Sequence, residues 1–173
     1  MDESTFYHWL VIAWMALAAA TFVALFFVNA PYGRFTRNGW GPRMNARWGW
    51  ILMETPVLIT FLVLYAISAR KSSPVSIVLL AFWIAHYAHR SFAYPFRLRS
   101  SRPSITVSVI VMGALFNVGN GYLNGRYLFA LGPRLDPSWL LDPRFIIGAC
   151  LFWIGYAVNQ HSDQVLISLR SAG

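Results

Sequence analysis

The sequence predicts an all-α protein, a polytopic bundle of transmembrane helices, and three observations carry that prediction. Hydrophobic residues make up 57% of the 173-residue chain and charged residues only 12%, whereas a soluble domain carries about 25% charged residues. Mean hydropathy is +0.50. The apolar residues fall into five runs, each close to the roughly 20 residues that a helix needs to cross the hydrocarbon core. Backbone polar groups in lipid must be satisfied within the segment, so these runs are helices rather than open strands.

Residues 9–28 form the first run and hold no charge. Asp2 and Glu3 stand before it in place of a basic region, so it is expected to be a retained span and not a cleaved signal. The second, 49–68, contains one charged residue, Glu54, close to Pro56. The third, 74–94, turns polar at His86, Tyr87, His89 and Arg90. The fourth, 105–131, begins apolar and then passes through Asn117, Asn120 and Asn124. The fifth, 145–167, ends on Asn159, His161 and Asp163. Together they are read as a single integral membrane domain over residues 1–173. Cys150 has no partner cysteine, which excludes an internal disulfide.

Orientation follows from the placement of basic residues. Net charge is +8, from 14 basic and 6 acidic residues, and every basic residue but Lys71 is an arginine. Nucleic acid is not an expected partner, because no polar domain is available to display a basic patch. In a membrane protein, loop arginines set topology and meet anionic lipid. Arg34, Arg37, Arg43 and Arg47 lie in the first loop, and Arg97, Arg99 and Arg102 in the third. The second has only Arg70 and Lys71, and the fourth balances Arg134 against Asp136 and Asp142. The positive-inside rule then puts the first and third loops in the cytoplasm and the N-terminus outside it. The membrane would be the endoplasmic reticulum or a bacterial inner membrane.

A carboxylate inside a span costs about 2.5–3.5 kcal/mol on insertion scales, so it needs a partner or a task. Glu54 is either a tether to an Arg or Asn on a neighbouring helix or a group that does chemistry. Burial disfavours its charged form, so it is expected to be neutral and able to donate a hydrogen bond. Tyr87, Arg90 and Tyr94 share one helix face. Tyr87 is either an interfacial anchor or a second donor that, beside a neutral carboxyl, polarises a carbonyl oxygen. Asn117, Asn120 and Asn124, interleaved with Gly119, Gly121 and Gly125, are either glue between helices or the lining of a cavity. Asn159 and Asp163, with Arg170 further on, suit the amide, ribose and phosphate groups of a nucleotide, and equally suit helix-end capping. No metal is expected: the chain has four histidines, and His86, His89 and His161 do not form a dense histidine box. No glycine-rich fingerprint follows a strand, so a nucleotide site here would not be a Rossmann one.

Five segments occur in order along nearly the whole chain: APYGRFT at 30–36, ETP at 54–56, HYAHRSFAY at 86–94, GNGYLNGRYL at 119–128 and NQHSDQVLISLR at 159–170. Taken together they resemble the steroid 5α-reductase family, the 3-oxo-5α-steroid 4-dehydrogenases. The resemblance implies that Glu54 and Tyr87 hydrogen-bond the 3-keto oxygen of an enone while NADPH delivers hydride to carbon 5 and carbon 4 is protonated. It implies NADPH contacts at Asn159, Asp163 and Arg170, with Arg102, Tyr32 and Arg90 as further ones. Trp50 and Phe116 would line an apolar pocket for a steroid-like substrate. The protein is expected to act as a monomer in the lipid bilayer. Well-known members have Gln before the glutamate where this chain has Met53, which bears on the natural substrate. Five spans of an expected seven are present, so the chain is expected to be a fragment or a shortened relative. Two other classes remain open: a lipid-modifying enzyme of the methyltransferase type, and a non-catalytic transport or scaffold protein.

Overall fold

The computed structural model describes residues 1–29, 39–98 and 104–171, without the side chains of residues 170 and 171. Helix α1 (Glu3–Ala24) starts ahead of the first apolar run, because Asp2 caps it by accepting from the Thr5 N–H at 3.2 Å. It buries none of its residues and is apolar all round, a pattern that belongs in lipid rather than water. Its ties to the rest lie on one side. The Tyr7 hydroxyl donates to the Leu123 carbonyl at 2.9 Å, and Arg126 Nε donates to Glu3 Oε1 at 2.6 Å.

The centre of the fold is a pair of helices that run side by side in the same direction. Strand β1 (Arg43–Asn45) leads into α2 (Ala46–Ala66), and strand β2 (Ser104–Thr106) leads into α5 (Val107–Arg126). The strands pair antiparallel, with Arg43 opposite Thr106. This short ribbon departs from the purely helical expectation, and it brings the starts of α2 and α5 to one end of the bundle. Along the helices Gly49 faces Ile110, Gly113 faces Met53, Gly121 faces Val57 and Thr60, and Gly125 faces Leu64. Small residues let the backbones approach closely. A Cβ on Gly121 would lie 3.0 Å from the Val57 carbonyl oxygen, so this seam admits nothing larger. Phe61 and Val57 are fully buried beside it.

Helix α3 (Pro74–Ala88) continues through a π-helical turn (His89–Ala93) into a short α4 (Tyr94–Arg97). Pro95 explains the turn: it lacks an N–H and its ring crowds the carbonyl four residues back. The wider loop places the Tyr94 N–H on the His89 carbonyl. A second π-turn (Tyr127–Leu131) ends α5, and Arg70 clamps it, donating to the carbonyls of Ala130 at 2.6 Å and Gly132 at 2.8 Å. Arg70 is thus a cap on a carbonyl-rich helix end, not the free loop charge its position suggests. A 3-10 turn (Pro137–Leu141) precedes α6 (Pro143–Ser171). Hydrogen bonds from the Arg144 side chain and N–H hold the Asp142 carboxyl down to about 2. Helix α6 packs on α3 through aromatic rings, with Phe82 against Phe152 at 4.9 Å.

Among the described residues, three helical stretches, Glu3–Ala24, Ala46–Ala66 and Val107–Leu131, are long and apolar enough to cross a membrane. Replacing Gly121 with Leu should force α2 and α5 apart and cost about 1–3 kcal/mol. Gly148→Leu, whose Cβ meets nothing within 4 Å, should leave stability unchanged. Thermal unfolding of both variants in detergent checks this; equal midpoints would contradict the packing.

Candidate functional site

Glu54 lies in the middle of α2 and is buried. Arg90, from the first residues of the π-turn, reaches it with Nη2 3.2 Å from Oε1. The other nitrogen, Nη1, lies 3.5 Å from Asp163 Oδ2 on α6. One guanidinium therefore bridges two buried carboxyl groups and joins three helices. It also lies over aromatic faces, 4.7 Å from the centroid of Trp50 and 5.2 Å from that of Tyr94, where the ring quadrupole favours a cation. Trp50 and Tyr94 meet edge-to-face at 5.0 Å and form a buried floor under it. The π-turn sits where its extra residue re-aims this side chain.

Helix α5 holds the other side. Asn117 Nδ2 donates to Glu54 Oε2 at 3.3 Å and to the Met53 carbonyl at 2.7 Å. One turn later Asn120 Nδ2 donates to the Tyr87 hydroxyl at 2.9 Å. Residues three apart on a helix stand about 5–6 Å from one another. Glu54 and Tyr87, from different helices, are thus each pinned to α5 with their anchors one turn apart. Trp83, a turn before Tyr87, packs on its ring at 5.0 Å and stacks on Phe61 at 4.1 Å.

Asn159 lies one turn before Asp163 on α6, and its buried Oδ1 has no hydrogen-bond partner among the described residues. A buried acceptor without a donor costs free energy, and an amide or hydroxyl donor would satisfy it. The histidines of the third run serve the α3–α6 contact: His86 and His89 lie against Tyr156, and Gln160 Nε2 is 2.9 Å from His89 Nδ1.

The candidates from the sequence therefore divide. Glu54, Arg90, Asp163 and Trp50 form one cluster, and Tyr87 joins it through α5. Phe116 stands elsewhere: it stacks on Trp14 of α1 at 5.2 Å and is half exposed. Neighbouring helical residues point about 100° apart, so Asn117 turning toward Glu54 carries Phe116 away from it. Tyr32 and Arg102 lie outside the described residues, as does the side chain of Arg170, whose backbone ends α6. The sequence leaves Asn117 and Asn120 as either glue or lining; the signal that finds them is their one-turn spacing opposite a span with a buried carboxylate.

A family model for 3-oxo-5-alpha-steroid 4-dehydrogenase matches residues 103–173. The steroid 5-alpha-reductase of Gossypium hirsutum is 32% identical over 175 residues, 99% of this chain and 68% of that protein. The chain belongs to the steroid 5-alpha-reductase family. The 3-oxo-5-alpha-steroid 4-dehydrogenase 1 of Bos taurus is 36% identical over 162 residues, 91% of this chain and 62% of its own length. That of Rattus norvegicus is 33% identical over 175 residues, all of this chain and 67% of its own. The chain therefore spans about two thirds of the length of these family members.

Removing Arg90 strands two buried carboxyl groups, and breaking a buried ion pair from one side costs about 3 kcal/mol or more. Arg90→Leu should therefore unfold far more readily than wild type in detergent. Glu54→Gln should lose less, since an amide oxygen still accepts from Arg90. Chemical denaturation compares them; an Arg90→Leu protein of wild-type stability would contradict the bridge.

Proposed function

We propose that the protein reduces the carbon 4–5 double bond of 3-oxo-Δ4 steroids to 5α-3-oxo steroids, using NADPH. The observation that carries this reading is the pinning of Glu54 and Tyr87 to consecutive turns of α5, which holds two hydrogen-bonding groups from different helices along one side of α5. The relatives, named for this reaction, support the substrate class.

Tyr87 Oη donates its proton toward the ketone oxygen, and its lone pair is already taken by Asn120. Glu54 is proposed as the second donor to that oxygen. Arg90 brings one positive charge to two carboxyl groups and so links Glu54 to Asp163 on α6. Both donors strengthen as negative charge develops on that oxygen, which is how a fixed pair of donors lowers a barrier. NADPH supplies the hydride that adds to carbon 5, and a proton added at carbon 4 balances the reduction. Asn159 Oδ1 fits the cofactor as an acceptor for an amide or ribose hydroxyl, with Asp163 beside it and Arg170 for phosphate. Tyr32 and Arg102 are proposed as further contacts, and Arg90 as the group that couples the cofactor side to Glu54. Trp50 is proposed to line the steroid pocket beside Arg90 and Glu54, and Phe116 to line its α1 side, where it stacks on Trp14.

The same reading places α1, α2, α3, α5 and α6 as five membrane spans of one integral domain, with the arginine-rich end cytoplasmic and the N-terminus outside. The parallel course of α2 and α5 from a shared ribbon supports this, as does the apolar, unburied surface of α1.

Testosterone or progesterone with NADPH should yield the 5α-reduced product. Glu54→Gln and Tyr87→Phe should each lower kcat by about 100-fold or more, the loss typical of one oxyanion donor. Product formation followed by mass spectrometry checks this. Full rates in both variants would remove the assignment, and binding of S-adenosylmethionine without NADPH turnover would point to a methyltransferase.

A further inference from the structure

The hydrogen bonds around Tyr87 have a fixed direction. Asn124 Nδ2 donates to the Asn120 side-chain oxygen at 3.0 Å and to the Asn120 backbone carbonyl at 2.9 Å. With its oxygen taken from that side, Asn120 turns its nitrogen to the Tyr87 hydroxyl at 2.9 Å. An amide nitrogen only donates, so the phenol oxygen is the acceptor there and keeps its own proton for another group. Among the described residues that proton meets no acceptor.

Two further observations separate these amides from ordinary helix glue. Asn117 binds the Met53 backbone and Glu54 on α2, as an interhelical tether does. Among the described residues, by contrast, Asn120 and Asn124 hydrogen-bond no backbone of another helix; the phenol is the group from a neighbouring helix that they hold. Asn124 is also exposed, so core packing does not explain its place in the chain of donors.

We infer that Asn124 and Asn120 form a two-amide relay that orients and polarises the Tyr87 hydroxyl as a donor, making both of them positioning residues of the reaction. The inference rests on the reading of Tyr87 as the group that donates to the substrate ketone. Hydrogen bonds in series strengthen one another, by roughly 10–30% per bond. Charge gathering on the ketone oxygen therefore draws on all three members, while the ground state gains less from them. The relay acts on the chemical step and not on binding.

The test is a double-mutant cycle on the full protein, with NADPH and testosterone, reading single-turnover rate and KM. Asn120→Ala should lower the rate ~10-fold with KM within ~2-fold, and Asn124→Ala should lower it ~3-fold. Asn120→Asp, which keeps the size but withdraws the donor, should lose at least as much as Asn120→Ala. In a Tyr87→Phe background none of the three should cost anything further. Exposed Asn124 carries the test should Asn120→Ala fail to fold. Wild-type rates in the Asn120 and Asn124 variants, or equal losses with and without the Tyr87 hydroxyl, would overturn the relay and leave the role of Tyr87 standing. A Tyr87→Phe protein with wild-type rate would instead remove the reading on which the relay rests.

Discussion

One guanidinium between two buried carboxyl groups organises this protein. Arg90 touches Glu54 on α2 and Asp163 on α6 while resting on Trp50 and Tyr94. In a medium that solvates ions poorly, none of these three ionisable groups is tolerable alone, and together they hold three helices in one arrangement. The π-turn at His89–Ala93 is part of the same constraint. It accommodates Pro95 without ending the helix and directs Arg90 into the bundle.

Helix α5 serves as a ruler alongside this bridge. Its glycines let it lie close to α2, and its asparagines then reach the polar groups that α2 and α3 present. Close packing and polar positioning thus come from neighbouring residues of one helix, Gly121 and Gly125 beside Asn117 and Asn120. A bulky residue at the seam would disturb the site without touching it. This coupling gives a physical reason for glycine and asparagine to be interleaved there.

Much of this was legible in the sequence, and the limits follow from what one-dimensional patterns carry. Helical class, the position of Glu54 inside a span and the shared face of Tyr87 and Arg90 follow from hydropathy and spacing. The partner of Glu54 does not: a carboxylate in an apolar run demands a partner, but Arg90 is one of several arginines that could have met it. Phe116 is a different case. Hydropathy does not record which neighbour an aromatic residue meets, and here the helix turns Asn117 to Glu54 while Phe116 packs on Trp14 of α1. The β1–β2 ribbon escaped because three-residue strands leave no periodicity to read. Arg70 passed for topology charge because its acceptors are backbone carbonyls sixty residues away, which no side-chain pattern records.

The proposed reaction makes a steroid enone ketone the acceptor of two hydrogen bonds from this cluster while carbon 5 takes a hydride. Its most direct test is isotopic: the full protein, NADPH carrying deuterium at the transferable position, and a 3-oxo-Δ4 steroid, with the product analysed by NMR. Deuterium is expected at carbon 5 on the α face, with a solvent-derived proton at carbon 4. A product with the label elsewhere, or a steroid recovered unreduced with the cofactor unspent, would contradict it.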